Sequence, residues 1–194
     1  MQTRRNILLV ALSAGLLASC GPPPPLPPTF PDIRFNSANP LQLDAARIDI
    51  RSLQQSGESD RGFPVSPLQA MQNWARDRLR TGGTSNVARF TIVTASASEK
   101  SLPVKGGVSG TFTDQVSQQY DVAVEGTLEI LDSRGVALRT VHVSATRSRS
   151  VLQSATPNER DTVRYELVKA LMGDFDEQMG AQIRDNFGLY LLSR

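Results

Sequence analysis

Hydrophobic residues in this chain recur with two periods, and each period predicts one kind of element. Alternation of apolar and polar residues predicts strands. It occurs at Ala46–Ile50, Ala88–Thr94, Tyr120–Ile130 and Val136–Val151. Spacings of three and four residues predict helices at Leu68–Leu79 and Val163–Phe187. This order predicts an α+β domain of two layers, with a four-stranded, antiparallel-rich sheet and two helices packed on one face.

Both predicted helices begin with the same start signal. Ser66-Pro67-Leu68-Gln69 and Thr156-Pro157-Asn158-Glu159 each supply an N-cap, a proline in the first turn and a side chain that closes a capping box. Gly82 and Gly83 are expected to end the first helix. Its single tryptophan, Trp74, is expected in the core rather than on a ligand platform. Solvated helix faces are expected for six charged residues: Arg76, Arg78, Arg80, Asp174, Asp176 and Glu177.

The second helix carries a longer apolar row than one flat sheet can bury. The row recurs at intervals of four: Val163, Leu167, Leu171, Phe175, Met179, Ile183 and Phe187. At about 100° per residue it rotates by about 40° per step around the helix axis. Either the helix bends near Gly173 or Gly180, or its far end meets another partner. The apolar tail Leu189–Leu192 either packs back on the domain or forms a contact site.

The last two strands predict a hairpin around the turn sequence Asp132-Ser133-Arg134-Gly135. A four-residue loop would pair Val124 with Val143 and place the apolar residues of both strands on one face. The same register sets Glu125 opposite His142, the only histidine. We interpret this as an exposed cross-strand pair rather than a catalytic one, because no nucleophile or metal-ligand cluster accompanies it.

Two arginines lie at the end of the hairpin away from the turn. The predicted register sets Arg147 opposite Tyr120 and Arg149 opposite Gln118. Arg147 and Arg149 are the candidate contacts to an anionic lipid head group. The simpler alternative is that their charges protect a strand end from aggregation.

The N-terminal segment has the pattern of an export signal. Arg4 and Arg5 precede the apolar run Ile7–Leu17, which is shorter than the roughly 20 residues that a bilayer-spanning helix needs. The run ends in Leu17-Ala18-Ser19-Cys20, which resembles the lipobox of bacterial lipoproteins. This resemblance implies that residues 1–19 are a signal peptide and that Cys20 carries a diacylglycerol and an N-acyl chain. An ordinary soluble export signal is the alternative.

The residues after Cys20 predict where the domain is held. Gly21, rather than an aspartate, follows the cysteine, and by the same resemblance this favours an outer-membrane anchor with the domain facing the periplasm. The stretch Gly21–Pro31 contains seven prolines and predicts an extended spacer. At about 3.1 Å per residue it would hold the domain about 30 Å from the lipid. Residues 20–40 are assigned to the lipidated cysteine and tether, and residues 41–194 to one domain.

Composition excludes several classes of function. Removal of residues 1–19 would lower the count of Lys and Arg from 21 to 19, equal to the 19 Asp and Glu, so no basic excess indicates a nucleic-acid partner. Cys20 is the only cysteine, so a monomer can form no disulfide. The chain lacks HExxH, GxSxG and Walker motifs. We therefore expect no catalytic residue, no cofactor and no metal site.

The order of elements on a lipidated stem resembles the lipopolysaccharide-assembly lipoprotein family. The resemblance covers roughly Leu43–Phe187, and rests on the strand beginning Tyr120-Asp121-Val122, the hairpin arm ending in Arg147 and the capped last helix. It implies a non-enzymatic accessory that helps to assemble the outer membrane beside a barrel protein. That family often has an aromatic residue soon after the cysteine, where this chain has Gly21 and prolines. Auxiliary lipoproteins of ABC-type envelope lipid transporters share a similar layout and are the alternative.

Overall fold

The computed structural model describes residues 29–54, 60–103 and 115–192. Its strands are β1 (Leu41–Leu43), β2 (Arg47–Ser52), β3 (Leu79–Thr81), β4 (Val87–Ser101), β5 (Val116–Leu131) and β6 (Ala137–Leu152). Its helices are α1 (Pro67–Arg78) and α2 (Pro157–Phe187), and a 3₁₀ turn follows at Gly188–Tyr190. The predicted lipobox with Cys20 lies outside the described residues. So does the stretch 105–110, whose three glycines predict a mobile loop between two strands.

Within the described residues, the main sheet has four strands in the order β2-β4-β5-β6, which confirms the predicted α+β class. β4, β5 and β6 are antiparallel to one another, and β2 lies parallel to β4. Parallel neighbours need a crossover connection, and α1 between β2 and β4 supplies it. The predicted strand at Ala46–Ile50 is therefore an edge strand, with Ile50 36% exposed.

Both helices lie on the same face of the sheet. Trp74 of α1 and Phe175 of α2 each contact Phe90 of β4, with ring centroids 5.1 Å and 6.4 Å away. All three side chains are fully buried, which confirms the core position predicted for Trp74. Gly126 on β5 makes room for this cluster, because a Cβ there would lie 3.0 Å from both phenylalanine rings.

The hairpin forms where predicted, but its register is wrong by two residues. Val124 pairs with Ala145 rather than Val143, and Gly126 pairs with Val143. The shift arises at the turn, where the Asp132 carboxylate accepts hydrogen bonds from the backbone of Arg134 and Val136 and a bulge follows Ile130. A shift of two preserves side-chain parity, so the apolar residues remain on one face as predicted.

The predicted end of the first helix is also wrong. The Ser66 side chain caps α1 by accepting from the backbone of Leu68, while the Gln69 amide donates to Asn73 instead of closing a capping box. α1 ends at Arg78, before the two glycines, and the chain enters β3, which pairs in parallel with β1. Gly83 instead allows a close approach to the chain after β1, since a Cβ there would lie 2.7 Å from the backbone nitrogen of Ala45.

The far end of α2 leads into a C-terminal tail that pairs with β1. The helix runs continuously for 31 residues, with the predicted capping box at Thr156 and Glu159. Phe187 at its end is fully buried. The tail packs back on the domain, where Leu191 bridges Leu43 and Leu192 donates a backbone hydrogen bond to Gln42. Six of the seven residues of the apolar row are buried and Val163 packs against the core, so an unbroken helix buries the row.

Candidate functional site

The stem, residues 30–39, is the last part of the predicted tether (residues 20–40), and it lies along α1. Among the described residues, three polar side chains are buried, and all three contact the stem: Asn73, Asp77 and Arg78. Asn73 Nδ2 donates to the carbonyl of Ile33 at 3.3 Å, and Arg78 Nη1 donates to the carbonyl of Asn39. The polar groups that α1 buries thus fasten the stem to the helix.

Asp77 makes the largest number of hydrogen bonds to the stem. Its carboxylate accepts two hydrogen bonds from Arg34, from Nε at 2.8 Å and from Nη2 at 2.6 Å, and a third from the backbone of Phe35 at 2.9 Å. The Arg34 guanidinium holds the pKa of Asp77 below its ordinary value. Ile33 and Phe35 are buried beside it. The stem contact therefore combines a bidentate ion pair with the burial of apolar side chains.

Arg78 and Asp176 do not lie on the solvated faces expected for them. Asp176 Oδ1 accepts hydrogen bonds from Trp74 Nε1 at 2.8 Å and from Arg78 Nε at 2.6 Å. A buried indole N–H needs an acceptor, and the carboxylate on α2 provides it. Trp74 and Arg78 are four residues apart, so the helical spacing that places Trp74 in the core could also have revealed the burial of Arg78.

The stem begins beside the first half of α2. The ring of Phe30 lies 5.2 Å from the ring of Tyr165, measured between centroids. From there the stem runs along α1 to β1. The point at which the predicted tether joins the domain is therefore close to the N-terminal half of α2.

A cleft lies between β6 and this half of α2, and we call it the β6–α2 cleft. Its cavity of about 410 Å³ is lined by residues 147–149 of β6 and by five residues of α2 between Thr162 and Ala170. Val163, Leu167 and Ala170 form an apolar wall, and Glu166 adds one carboxylate. The cleft thus combines an apolar wall with arginine side chains from an edge strand.

The two candidate lipid contacts, Arg147 and Arg149, have different surroundings. They lie opposite Val122 and Tyr120, not opposite Tyr120 and Gln118 as predicted. Arg147 is held by Asp174, with Nε to Oδ2 at 2.5 Å and Nη2 to Oδ1 at 2.8 Å. This pairing raises the pKa of Arg147 and lowers that of Asp174. Arg149 makes no hydrogen bond or ion pair with any residue in the described ranges, so its guanidinium is the available one.

Arg164 ties α2 to the sheet beside the cleft, a role that the sequence did not reveal. Its guanidinium carbon lies 4.7 Å from the centre of the Tyr120 ring. It pairs with Glu99 of β4 at 2.7 Å and with Asp161 at 2.8 Å. Burial raises the pKa of the Tyr120 hydroxyl. These partners occupy Arg164, which therefore fixes the helix rather than offering a charge to a ligand.

The predicted contact between Glu125 and His142 is present, although the two residues are not direct partners in the register. His142 lies opposite Thr127, and its Nε2 is 3.4 Å from Glu125 Oε1. The side chain of His142 is 52% exposed. The pair therefore lies on the outer face of the sheet, away from the helices.

Within the described ranges, no group of three or more His, Cys, Asp or Glu side chains is arranged to hold a metal ion. Within the same residues, no helix combines the length and the hydropathy needed to cross a bilayer.

Comparison with known proteins finds no matching family model and no matching curated sequence. Several solved structures are similar at low identity. A minor lipoprotein from Acinetobacter baumannii is 14% identical over 73% of this chain and 92% of its own, with a TM-score of 0.38. A Xanthomonas campestris protein of family DUF330 is 12% identical over 75% and 95%, with a TM-score of 0.34. A Caulobacter crescentus protein described as a lipoprotein is 7% identical over 69% and 90%, with a TM-score of 0.26. Likenesses with TM-scores this low carry no argument for the function of this chain.

Proposed function

We propose that this protein is a lipid-anchored accessory of the bacterial envelope that takes part in outer-membrane or lipopolysaccharide assembly. It would work by binding a protein partner and would catalyse no reaction. The observation that carries the proposal is the stem contact. The residues that follow the lipobox and the proline run are fastened to α1 by Asn73, Asp77 and Arg78.

An anchor controls the position of a domain only when the connection between them is stiff. A proline-rich spacer is semi-rigid, and at about 3.1 Å per residue the one predicted here would span about 30 Å between Cys20 and the stem. The stem then continues as part of the packed domain. Each buried CH₂ of an acyl chain contributes about 0.8 kcal/mol, so two or three chains on Cys20 would make the attachment lasting. The domain would work at a set height above the membrane.

Two partners are compatible with a domain held in this way. An outer-membrane barrel protein is the partner expected from the resemblance to lipopolysaccharide-assembly lipoproteins. An ABC-type lipid transporter is the alternative. Both would be met at the membrane surface, where the anchor raises the effective concentration of the domain.

The test compares wild-type protein with a Cys20→Ser variant in the native host. We expect wild type to fractionate with the outer membrane and the variant to be released to the soluble fraction. Affinity capture of wild type from solubilised membranes should then recover a barrel protein, whereas recovery of an ABC transporter would favour the alternative. A Cys20→Ser variant that stays with membranes and supports normal envelope assembly would overturn the proposal.

A further inference from the structure

We propose that the free edge of β6, together with the β6–α2 cleft, is a docking site for an extended acidic segment of a partner protein. The segment would add to the sheet as a fifth strand. This proposal deepens the proposed function, on which it rests for the location of the partner in the envelope. The following features of β6 support it.

β6 is a long edge strand with a regular ladder. It has 16 residues, and within the described ranges β5 is its one neighbour in the sheet. Its register irregularities lie near its two ends, between Ile130 and Leu131 and between Val116 and Gln118 on β5. Between them the pairing with β5 is unbroken from Arg139 to Val151. An edge strand presents a row of unpaired N–H and C=O groups, which is a template for another strand.

The charges on β6 favour an acidic occupant. The strand contains four basic residues and no Asp or Glu: Arg139, His142, Arg147 and Arg149. A second copy of the same strand would bring like charges together, which opposes pairing. Arg147 is paired with Asp174 and His142 lies beside Glu125. Arg139 lies over the ring of Tyr190 at 5.6 Å, away from the cleft. Beside the cleft, the charge left for a partner is that of Arg149.

The cleft distinguishes this edge from one that is merely protected by charge. Basic residues often guard edge strands against aggregation. That role requires no cavity, yet Arg149 borders one of about 410 Å³ with an apolar wall at Val163 and Leu167. Alternate side chains of an added strand would point toward the helices and over this cleft. Backbone hydrogen bonds would then supply affinity, and the cleft would select acidic and apolar side chains.

The experiment uses the full lipidated protein in nanodiscs of zwitterionic lipid. The probe is a short synthetic peptide with Thr at every second position and Glu or Val at the positions between. The control peptide has Lys in place of each Glu. We expect the acidic peptide to bind and to slow hydrogen exchange at the amides of β6. Arg149→Glu should weaken binding roughly tenfold. Arg184→Glu makes the same charge change at another exposed arginine, on α2, and should leave binding unchanged.

Four results would overturn the proposal. The acidic peptide could bind wild type no better than it binds Arg149→Glu, although the two proteins melt at the same temperature. It could also bind without slowing exchange at the amides of β6. Nanodiscs of phosphatidylglycerol could slow hydrogen exchange at β6 without the peptide, and only when Arg149 is present. That result would assign the cleft to a lipid head group. Self-association that is lost in Arg149→Glu would assign the edge to a second copy. Because the peptide assay needs no native partner, its failure is separate from failure of the Cys20→Ser test.

Discussion

Arg78 of the stem contact and Arg149 of the β6–α2 cleft have opposite surroundings. Arg78 at the stem contact has a side chain only 7% exposed, and it bonds both to Asp176 and to the stem. Arg149 at the cleft is exposed and bonds to no described residue. A buried polar group must be matched because its desolvation is costly, so Arg78 serves the fold. An unmatched charge beside a cavity is free to serve binding. The contrast separates a region that stabilises the fold from the region that we propose binds a partner.

Removal of Arg78 should have the largest effect on stability. Arg78→Ala strips a charge partner from Asp176 and a donor from the carbonyl of Asn39, and it leaves space in a packed region. We expect the free energy of unfolding to fall by about 3–5 kcal/mol, measured by denaturant titration. Arg76→Ala, on the exposed face of the same helix, is the matched control and should change it by about 0.5 kcal/mol or less. Equal losses of unfolding free energy in Arg78→Ala and Arg76→Ala would mean that the buried contacts of Arg78 do not stabilise the fold.

Asp77→Ala should have the next largest effect, and it should be confined to the stem. The change leaves Arg34 without its carboxylate and the buried backbone N–H of Phe35 without an acceptor. We expect a loss of about 1–3 kcal/mol in the free energy of unfolding. Hydrogen exchange should become faster at residues 30–39 before it does at β5. Unchanged exchange in the stem would mean that Asp77 does not fasten it.

The outer face of the sheet should contribute a pH-dependent part of the stability through Asp121. Asp121 accepts hydrogen bonds from Lys100 and Ser148, and these contacts lower its pKa from 3.8 to about 2. Since the folded state holds the proton less tightly than the unfolded state, this contribution is complete above about pH 4 and is lost as the pH falls toward 2. Asp121→Asn should therefore flatten the loss of stability across this window, as measured by thermal melts. A profile identical to that of wild type would exclude the contribution.

Arg149→Ala should have the smallest effect on stability. The side chain makes no bond within the described ranges, so we expect a change in the free energy of unfolding within about 0.5 kcal/mol. Denaturant titration of Arg149→Ala and Arg78→Ala under the same conditions compares the two arginines directly. A loss close to that of Arg78→Ala would make Arg149 a structural residue and leave the cleft without its available charge.

The local parts of the fold could be predicted from sequence because short-range physics determines them. The cap at Thr156 and Glu159 lies within one helical turn, and the apolar row of α2 has a single period. Side chains alternate between the two faces of a strand, so the sequence alone predicted that Arg149 shares a face with Val143 and Ala145. The cleft face was therefore accessible to sequence reasoning, although the cavity itself was not.

The remaining parts depend on contacts between distant residues. Arg78 and Asp176 are 98 residues apart, and nothing local to either one indicates the other. β1 and β3 have three residues each, too few to show a period, so the small sheet was missed. The hairpin register depended on how the Asp132 side chain folds the loop, a detail that the strand pattern does not contain.

The proposed function requires a lipid on Cys20 that holds this domain at the membrane. Mass spectrometry of the N-terminal peptide of protein purified from the host's membranes measures that lipid. We predict a mature chain that begins at Cys20 and carries acyl chains on both its sulfur and its amine. A mature chain with an unmodified thiol at Cys20, or one that retains residues 1–19, would contradict the claim.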